Sequence, residues 1–311
     1  MINRRNLLKV LGGAAAGALL PRVSRAAITH TPVAKDGFTY CLNMATIRGH
    51  KLGFAKELET ASKAGFTAVE IWIDSLETYL KTGGTLTTAK QMLNDLGITV
   101  ENAIGFAEWI VDDDARRSKA LEQMRREMDM LAQIGCKRTA APPMGATGLP
   151  LLDLNKVAER YRNILLLGDN SGVVPHLELW GFSKNLGRVS EVMYAALQTG
   201  HPAARVLLDV FHLYKGGSSL ETLPLISKDA IDVLHMNDYA AGLTREAITD
   251  ADRIYPGDGV APVKQILQVL KKSSTPLVLS LEVFNKNYYA QPALEVAKTA
   301  LAKMKAVTTG V

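Results

Sequence analysis

A single-domain (β/α)8 barrel is the fold this sequence predicts, on three observations. Strand-like and helix-like segments alternate eight times from Asp36 to the C-terminus. Their spacing fits eight βα units packed into residues 37–306 with no low-complexity linker between them. The first strand also runs into Cys41-Leu42-Asn43-Met44, with no glycine where a doubly wound open sheet places its phosphate turn. The open sheet is therefore the weaker alternative.

The elements follow in order. Phe38 to Ala45 reads as the first strand. Phe54 to Ala64 has helical periodicity up to Gly65, and Phe66 to Ile73 is the second strand. Ala89 to Leu96 is helical up to Gly97, with the third strand at Ile98 to Ala103. Ala115 to Ile134 is a long amphipathic helix stopped by Gly135. A glycine just past the last apolar position is the usual helix stop, because it adopts the left-handed conformation without strain. A short strand at Lys137 to Ala141 runs into Pro142-Pro143. Leu154 to Leu167 is helical and Val174 to Leu179 is the fifth strand. Val189 to Thr199 is helical and Arg205 to Val210 the sixth strand. Leu220 to Ile226 is a short helix, followed by the seventh strand at Val233 to Met236. Val263 to Lys272 is helical, Leu277 to Val283 is the last strand, and Pro292 to Ala306 closes the chain as a helix. The longest irregular stretch, Tyr239 to Val260, lies between strands seven and eight, where a long loop in a compact domain points to function.

Residues 1–26 have a different character. Arg4, Arg5 and Lys9 precede an apolar run from Val10 to Leu20, and Ser24-Arg25-Ala26 offers a small-residue cleavage pattern. Paired arginines ahead of Leu7-Leu8-Lys9 resemble a twin-arginine export signal, so a periplasmic working location is expected. The apolar run is short for a bilayer span, and no stable membrane insertion is expected after cleavage. Setting aside this segment's five basic residues leaves 31 basic against 31 acidic side chains. That balance gives no electrostatic footprint for nucleic acid. Cys41 and Cys136 sit in apolar contexts and read as buried thiols; two cysteines exclude a four-cysteine zinc site.

Strand alternation decides which polar side chains face into the barrel. In His176-Leu177-Glu178-Leu179-Trp180 the leucines suit the helix layer, which turns Glu178 inward. The same parity turns Asp209 inward beside Leu208 and Val210, His235 between Leu234 and Met236, and Glu282 between Leu281 and Val283. All four stand at C-terminal strand ends, the catalytic face of such barrels. Three carboxylates converging with one imidazole repel unless a cation neutralises them. One divalent metal is the expected cofactor; a mostly oxygen donor set favours Mn²⁺, Mg²⁺ or Co²⁺ and admits Zn²⁺. Trp72, Trp109 and Trp180 lie at or beyond strand tips, where their faces suit the apolar side of a sugar.

His-Leu-Glu178-Leu, Asp209-Val-Phe-His212, Val-Leu-His235-Met-Asn and Ser-Leu-Glu282-Val resemble the motifs of the xylose isomerase-like TIM barrel superfamily, the sugar phosphate isomerase/epimerase group. The resemblance implies metal ligation by Glu178, Asp209, His235 and Glu282, and substrate contacts from His212 and Arg253. It implies an isomerase or epimerase that removes a proton next to the carbonyl of a sugar or keto-sugar through a metal-stabilised enediolate, with Glu178 and Glu282 as the acid/base pair. A lyase or dehydratase on a keto-sugar or glycoside shares that first step and is the alternative; a non-catalytic carbohydrate-binding barrel is the weaker one. The three-metal DNA-repair branch needs extra histidines that Glu70-Ile-Trp72-Ile-Asp74 and Glu101-Asn102-Ala103 do not supply. The expected partner is a small sugar; homo-oligomer formation is left open.

Overall fold

The computed structural model describes residues 37–272 and 275–311, so the predicted export signal lies outside the described residues. Among the described residues ten strands occur in chain order: β1 Phe38–Asn43, β2 Ala68–Trp72, β3 Thr99–Ile104, β4 Arg138–Ala141, β5 Val174–Glu178, β6 Arg205–Asp209, β7 Val233–Met236, β8 Asp238–Tyr239, β9 Arg253–Ile254 and β10 Leu277–Leu281. The α-helices are α1 Ala45–Arg48, α2 Phe54–Ala64, α3 Ile73–Lys81, α4 Leu86–Asp95, α5 Asp114–Ile134, α6 Leu154–Ser171, α7 Val189–Gln198, α8 Val210–Lys215, α9 Val263–Leu270, α10 Lys286–Tyr289 and α11 Ala293–Thr308. Eight strands form one parallel sheet in the order β3-β2-β1-β10-β7-β6-β5-β4, with helices between them. That is the predicted (β/α)8 barrel.

The sheet curls until β3 and β4 lie side by side, yet among the described residues no backbone ladder joins them. Side chains bridge the seam instead. Thr139 Oγ1 donates to Ala103 O at 3.2 Å, and Arg138 Nη1 donates to Glu101 O at 3.2 Å and to the Glu101 carboxylate at 2.9 Å.

Period-2 alternation sorts the core as expected. Val206, Leu208, Leu234, Met236, Leu277, Leu279 and Leu281 join the large apolar core with the helices. Cys41, Ala68, Ile104, Ala140, Leu207, Val233 and Val278 form a separate small cluster, the apolar plug of the barrel interior. On the strands that carry Leu207, Val233 and Val278, the inward series continues to Asp209, His235, Ser280 and Glu282.

The structure departs from the sequence reading at two places. Ile73, expected as the last residue of the second strand, instead opens α3, because Ile73 and Leu76 bury at helical spacing. The stretch from Tyr239 to Val260 is not irregular throughout: β8 pairs antiparallel with β9, Tyr239 opposite Arg253. In the Pro256-Gly257-Asp258-Gly259 turn, Asp258 pairs with Lys303 at the surface. Asp238 holds that turn, accepting from Gly257 N at 2.9 Å, Gly259 N at 3.0 Å and Ala261 N at 2.8 Å. Cys41 and Cys136 are both buried and unpaired. Among the described residues no helix is long and apolar enough to cross a membrane.

Candidate active site

The strand register lines up the polar side chains at the barrel mouth. Asn43 stands opposite Glu70 and Glu70 opposite Asn102 on β1, β2 and β3. Ser280 stands opposite His235, and His235 opposite Asp209, on β10, β7 and β6. Glu282 lies one residue beyond the end of β10, and its backbone N–H donates to Met236 O at 3.0 Å.

His235 is the centre of the arrangement. Its Nε2 lies 3.1 Å from Glu70 Oε1, while its Nδ1 lies 3.2 Å from Glu282 Oε2, 3.6 Å from Asp209 Oδ2 and 3.7 Å from Glu178 Oε1. Nδ1 is buried and takes part in no well-aligned hydrogen bond. With Glu70 accepting the Nε2 proton, Nδ1 can turn a lone pair to a cation among the three carboxylates in place of the proton these acids otherwise favour there. Asp209, His235 and Glu282 offer ligand atoms that all lie within 4.8 Å of one another. Glu178 stands beside this triad rather than within it. An orphaned imidazole nitrogen with surrounding carboxylate oxygens fits a hard or borderline divalent cation.

Glu70 is fully buried and held on all sides. It accepts from Asn102 Nδ2 at 2.7 Å, from Asn43 Nδ2 at 3.0 Å and from the Ser280 hydroxyl. The same Asn43 Nδ2 also donates to Glu282 Oε1 at 3.2 Å, so Glu70 fixes His235 directly and Glu282 through Asn43.

Arg253 arrives on β9 and is buried against the same carboxylates. Nη1 donates to Asp209 Oδ2 at 2.7 Å and Glu282 Oε2 at 3.0 Å; Nη2 donates to Asp250 Oδ1 at 2.6 Å. Nη2 also donates to His212 Nε2 at 3.2 Å, which places the His212 proton on Nδ1, a buried donor without a partner. His212 belongs to α8, whose N-terminus Asp209 caps by accepting from His212 N at 3.0 Å.

Electrostatics follow from this crowding. Burial, opposed by His235 and aided by the Glu282 and Glu70 charges, raises the Glu178 carboxyl to about 8. Burial also works against charge on Asp209, but the Arg253 guanidinium overrides it and holds Asp209 well below the usual carboxylate range. Burial disfavours the imidazolium of His235, yet Glu70 and Glu282 raise it well above an ordinary histidine. His212 lacks such an excess of acids and burial lowers it to about 4, so it is neutral near pH 7.

Glu178, Glu282, His212, Arg253, Trp72 and Trp180 line one cavity of about 400 Å³, which Asp209 and His235 adjoin. These eight of the nine residues that the sequence singles out therefore meet at one place. A larger cleft of about 780 Å³ beside α2 and α3 holds none of them. Trp109 does not join the site: it is buried in the apolar core, its Nε1 donating to Pro142 O at 2.9 Å. His176 sits in the middle of β5, two residues before Glu178 and 3.8 Å from Asp232, and is a core histidine that burial lowers to about 3. The sequence reading missed Asn43, Asn237 and Ser280 as partners of the acids, and Phe106, Phe182 and Phe284 as walls of the cavity. Inward strand parity could have found Asn43 and Ser280; the phenylalanines lie on loops where parity says nothing.

Residues 58–307 match the family described as xylose isomerase-like TIM barrel. An inosose isomerase of Halalkalibacterium halodurans is 27% identical over 274 residues, 84% of this chain and 93% of that one. A 3-dehydroshikimate dehydratase of Pseudomonas putida is 25% identical over 257 residues, 80% of this chain but 39% of that longer one. Among solved structures, the IolI protein with a bound zinc atom has a TM-score of 0.79 at 22% identity, covering 88% of this chain and 98% of that one, a likeness in fold.

Proposed function

Since this chain belongs to the xylose isomerase-like TIM barrel family, we propose that it is a divalent-metal-dependent isomerase or epimerase of a sugar or keto-sugar. One observation carries the reading: the buried, unpartnered Nδ1 of His235 is ringed by Glu178, Asp209 and Glu282 beside a cavity of about 400 Å³. Asp209, His235 and Glu282 would hold the metal, with Glu178 completing the set. The inosose isomerase relative and the zinc of the IolI protein support this assignment. A bound divalent cation supplies positive charge against the negative charge that develops on the substrate carbonyl oxygen.

This chain's own residues do the rest. Glu178 and Glu282 reach the cavity from β5 and from the end of β10, so one carboxylate can take the proton next to the carbonyl and the other can return one. The neutral His212 offers its free Nδ1–H to a substrate oxygen. Arg253 locks Asp209 and Glu282 in place and is itself buried, so it holds geometry without swinging. Trp72 and Trp180 exclude water and face the apolar side of the ring.

The test is incubation of metal-supplied protein with a panel of free ketoses and inososes in D₂O, read by proton NMR. Deuterium entering at the carbon beside the carbonyl, with an isomer or epimer appearing, is the expected result. No exchange from any member, in metal-supplied and chelated samples alike, would remove the proposal. A dehydratase is the second reading, favoured by the dehydratase relative; it would show loss of water and a conjugated ultraviolet-absorbing product in the same tubes. Export is part of the proposal and rests on the order of basic, apolar and small residues before Ala27. The paired change Arg4→Lys and Arg5→Lys should retain the protein in the cytoplasm; unchanged export would rule out the twin-arginine route.

A further inference from the structure

The walls and the charges of the cavity restrict what can stand above the carboxylates, an inference that rests on the proposed function and narrows its substrate. We propose that the substrate is an uncharged carbonyl sugar carrying an apolar, ring-shaped substituent, with the sugar on the carboxylates and the substituent against an arc of aromatic side chains.

The arc is continuous. Ring centroids lie 6.3 Å apart for Phe284 and Trp72, 5.2 Å for Trp72 and Phe106, 6.4 Å for Phe106 and Trp180, and 5.2 Å for Trp180 and Phe182. All five rings line the same cavity. Phe106 and Phe182 remain 36% and 46% exposed, two phenyl rings open to water at the site itself. Exposed apolar surface gathered in a concave site marks a ligand contact, and aromatic faces take flat apolar groups by stacking. A cavity of about 400 Å³ also has room beyond one sugar ring.

Charge excludes the main alternative. Glu178, Asp250 and Glu282 line the cavity, and among its lining residues Arg253 is the one guanidinium or ammonium. Arg253 spends Nη1 on Asp209 and Glu282, Nη2 on Asp250 and His212, and Nε on Asp250 at 3.0 Å. Away from the cation that Glu178 and Glu282 would hold, a phosphate or carboxylate on the substrate would meet no uncommitted cation among the lining residues and would stand near Asp250. The tight packing that builds the arc belongs to the fold: at Gly181, between Trp180 and Phe182, a Cβ would come within 2.4 Å of His212 O. The loop therefore lies flat on α8 and holds its two rings in place.

The test is isothermal titration of the full chain, supplied with Mn²⁺, against three probes: phenyl β-D-glucopyranoside, methyl β-D-glucopyranoside and phenyl β-D-glucuronide. The phenyl glucoside should bind at least about tenfold tighter than the methyl glucoside, as stacking on an aromatic wall provides. The glucuronide should bind at least about tenfold more weakly than the phenyl glucoside. The double variant Phe106→Ser and Phe182→Ser should lose the phenyl preference while keeping its Mn²⁺ affinity and thermal midpoint. Equal affinity for phenyl and methyl glucosides, absence of binding by the phenyl glucoside, or a glucuronide that binds as well as the glucoside would each overturn the inference. None of the probes carries a ketone, so the series reports on the pocket alone; an intact phenyl preference without deuterium exchange would sink the proposed reaction and spare this inference.

Discussion

Glu70 does not line the cavity of about 400 Å³, yet it governs the cluster through hydrogen bonds. It receives the Nε2 proton of His235 and shares Asn43 with Glu282. Partners that orient a metal-binding imidazole usually contribute 10–100-fold to metal affinity. Glu70→Gln should therefore weaken Mn²⁺ or Zn²⁺ binding by about that factor, measured by competition with a chromophoric chelator. An unchanged affinity would show that Ser280, Asn43 and Asn102 surround a carboxylate with no bearing on the metal. Most of this site was legible in the sequence, because Glu178, Asp209 and His235 alternate with aliphatic residues that must face the helices. The hydrogen bonds around Glu70 were not, since the register that sets Asn43 and Asn102 beside it exists only once strands pair. The β2–β3 pairing even shifts between Val69 and Glu70, an irregularity that strand alternation alone does not anticipate.

Among the elements, α5 carries a titratable group that works against folding. Glu127 is buried on its inner face, accepts one hydrogen bond from Gln123 at 2.7 Å, and burial raises its carboxyl to about 7. Between the ordinary value of 4.5 and about 7 the folded chain holds this proton and the unfolded chain does not. Stability therefore falls as pH rises through that window, by about 3 kcal/mol at most. Glu127→Gln should flatten that part of the profile and raise stability at pH 8, as read from urea unfolding at pH 5 and pH 8. The helices themselves were the easiest elements to read, since Gly65 and Gly135 end α2 and α5 in the left-handed conformation the sequence implied. β8 and β9 escaped notice because two-residue strands carry no periodicity; Asp238 and the Arg253 contacts hold them.

For the molecule as a whole, the cluster joins five strands to the β9 segment through opposed charges, so a cation there should act on global stability. Removing it leaves Glu70, Glu178, Asp209 and Glu282 facing His235 and Arg253 alone. At free metal about 100 times its dissociation constant, binding adds about 2.7 kcal/mol to the folded state. Chelation should then lower the thermal midpoint by roughly 5–10 °C, and readdition of Mn²⁺ or Zn²⁺ should restore it, as followed by calorimetry. A midpoint indifferent to chelator would count against any tightly held cation.

The junction of β3 and β4 gives the barrel a built-in point of first opening. Seven of its strand-to-strand contacts are backbone ladders, while this one rests on Thr139 and Arg138. Side-chain bridges yield one at a time, whereas ladder bonds break together. Amide deuteration should accordingly begin along the facing edges of these two strands, well before the amides of β7 and β10, and native-state exchange mass spectrometry would place the order. The wall that carries Ile104 and Phe106 follows directly on β3 in the chain, so a fluctuation that loosens this junction would also widen the cavity they line.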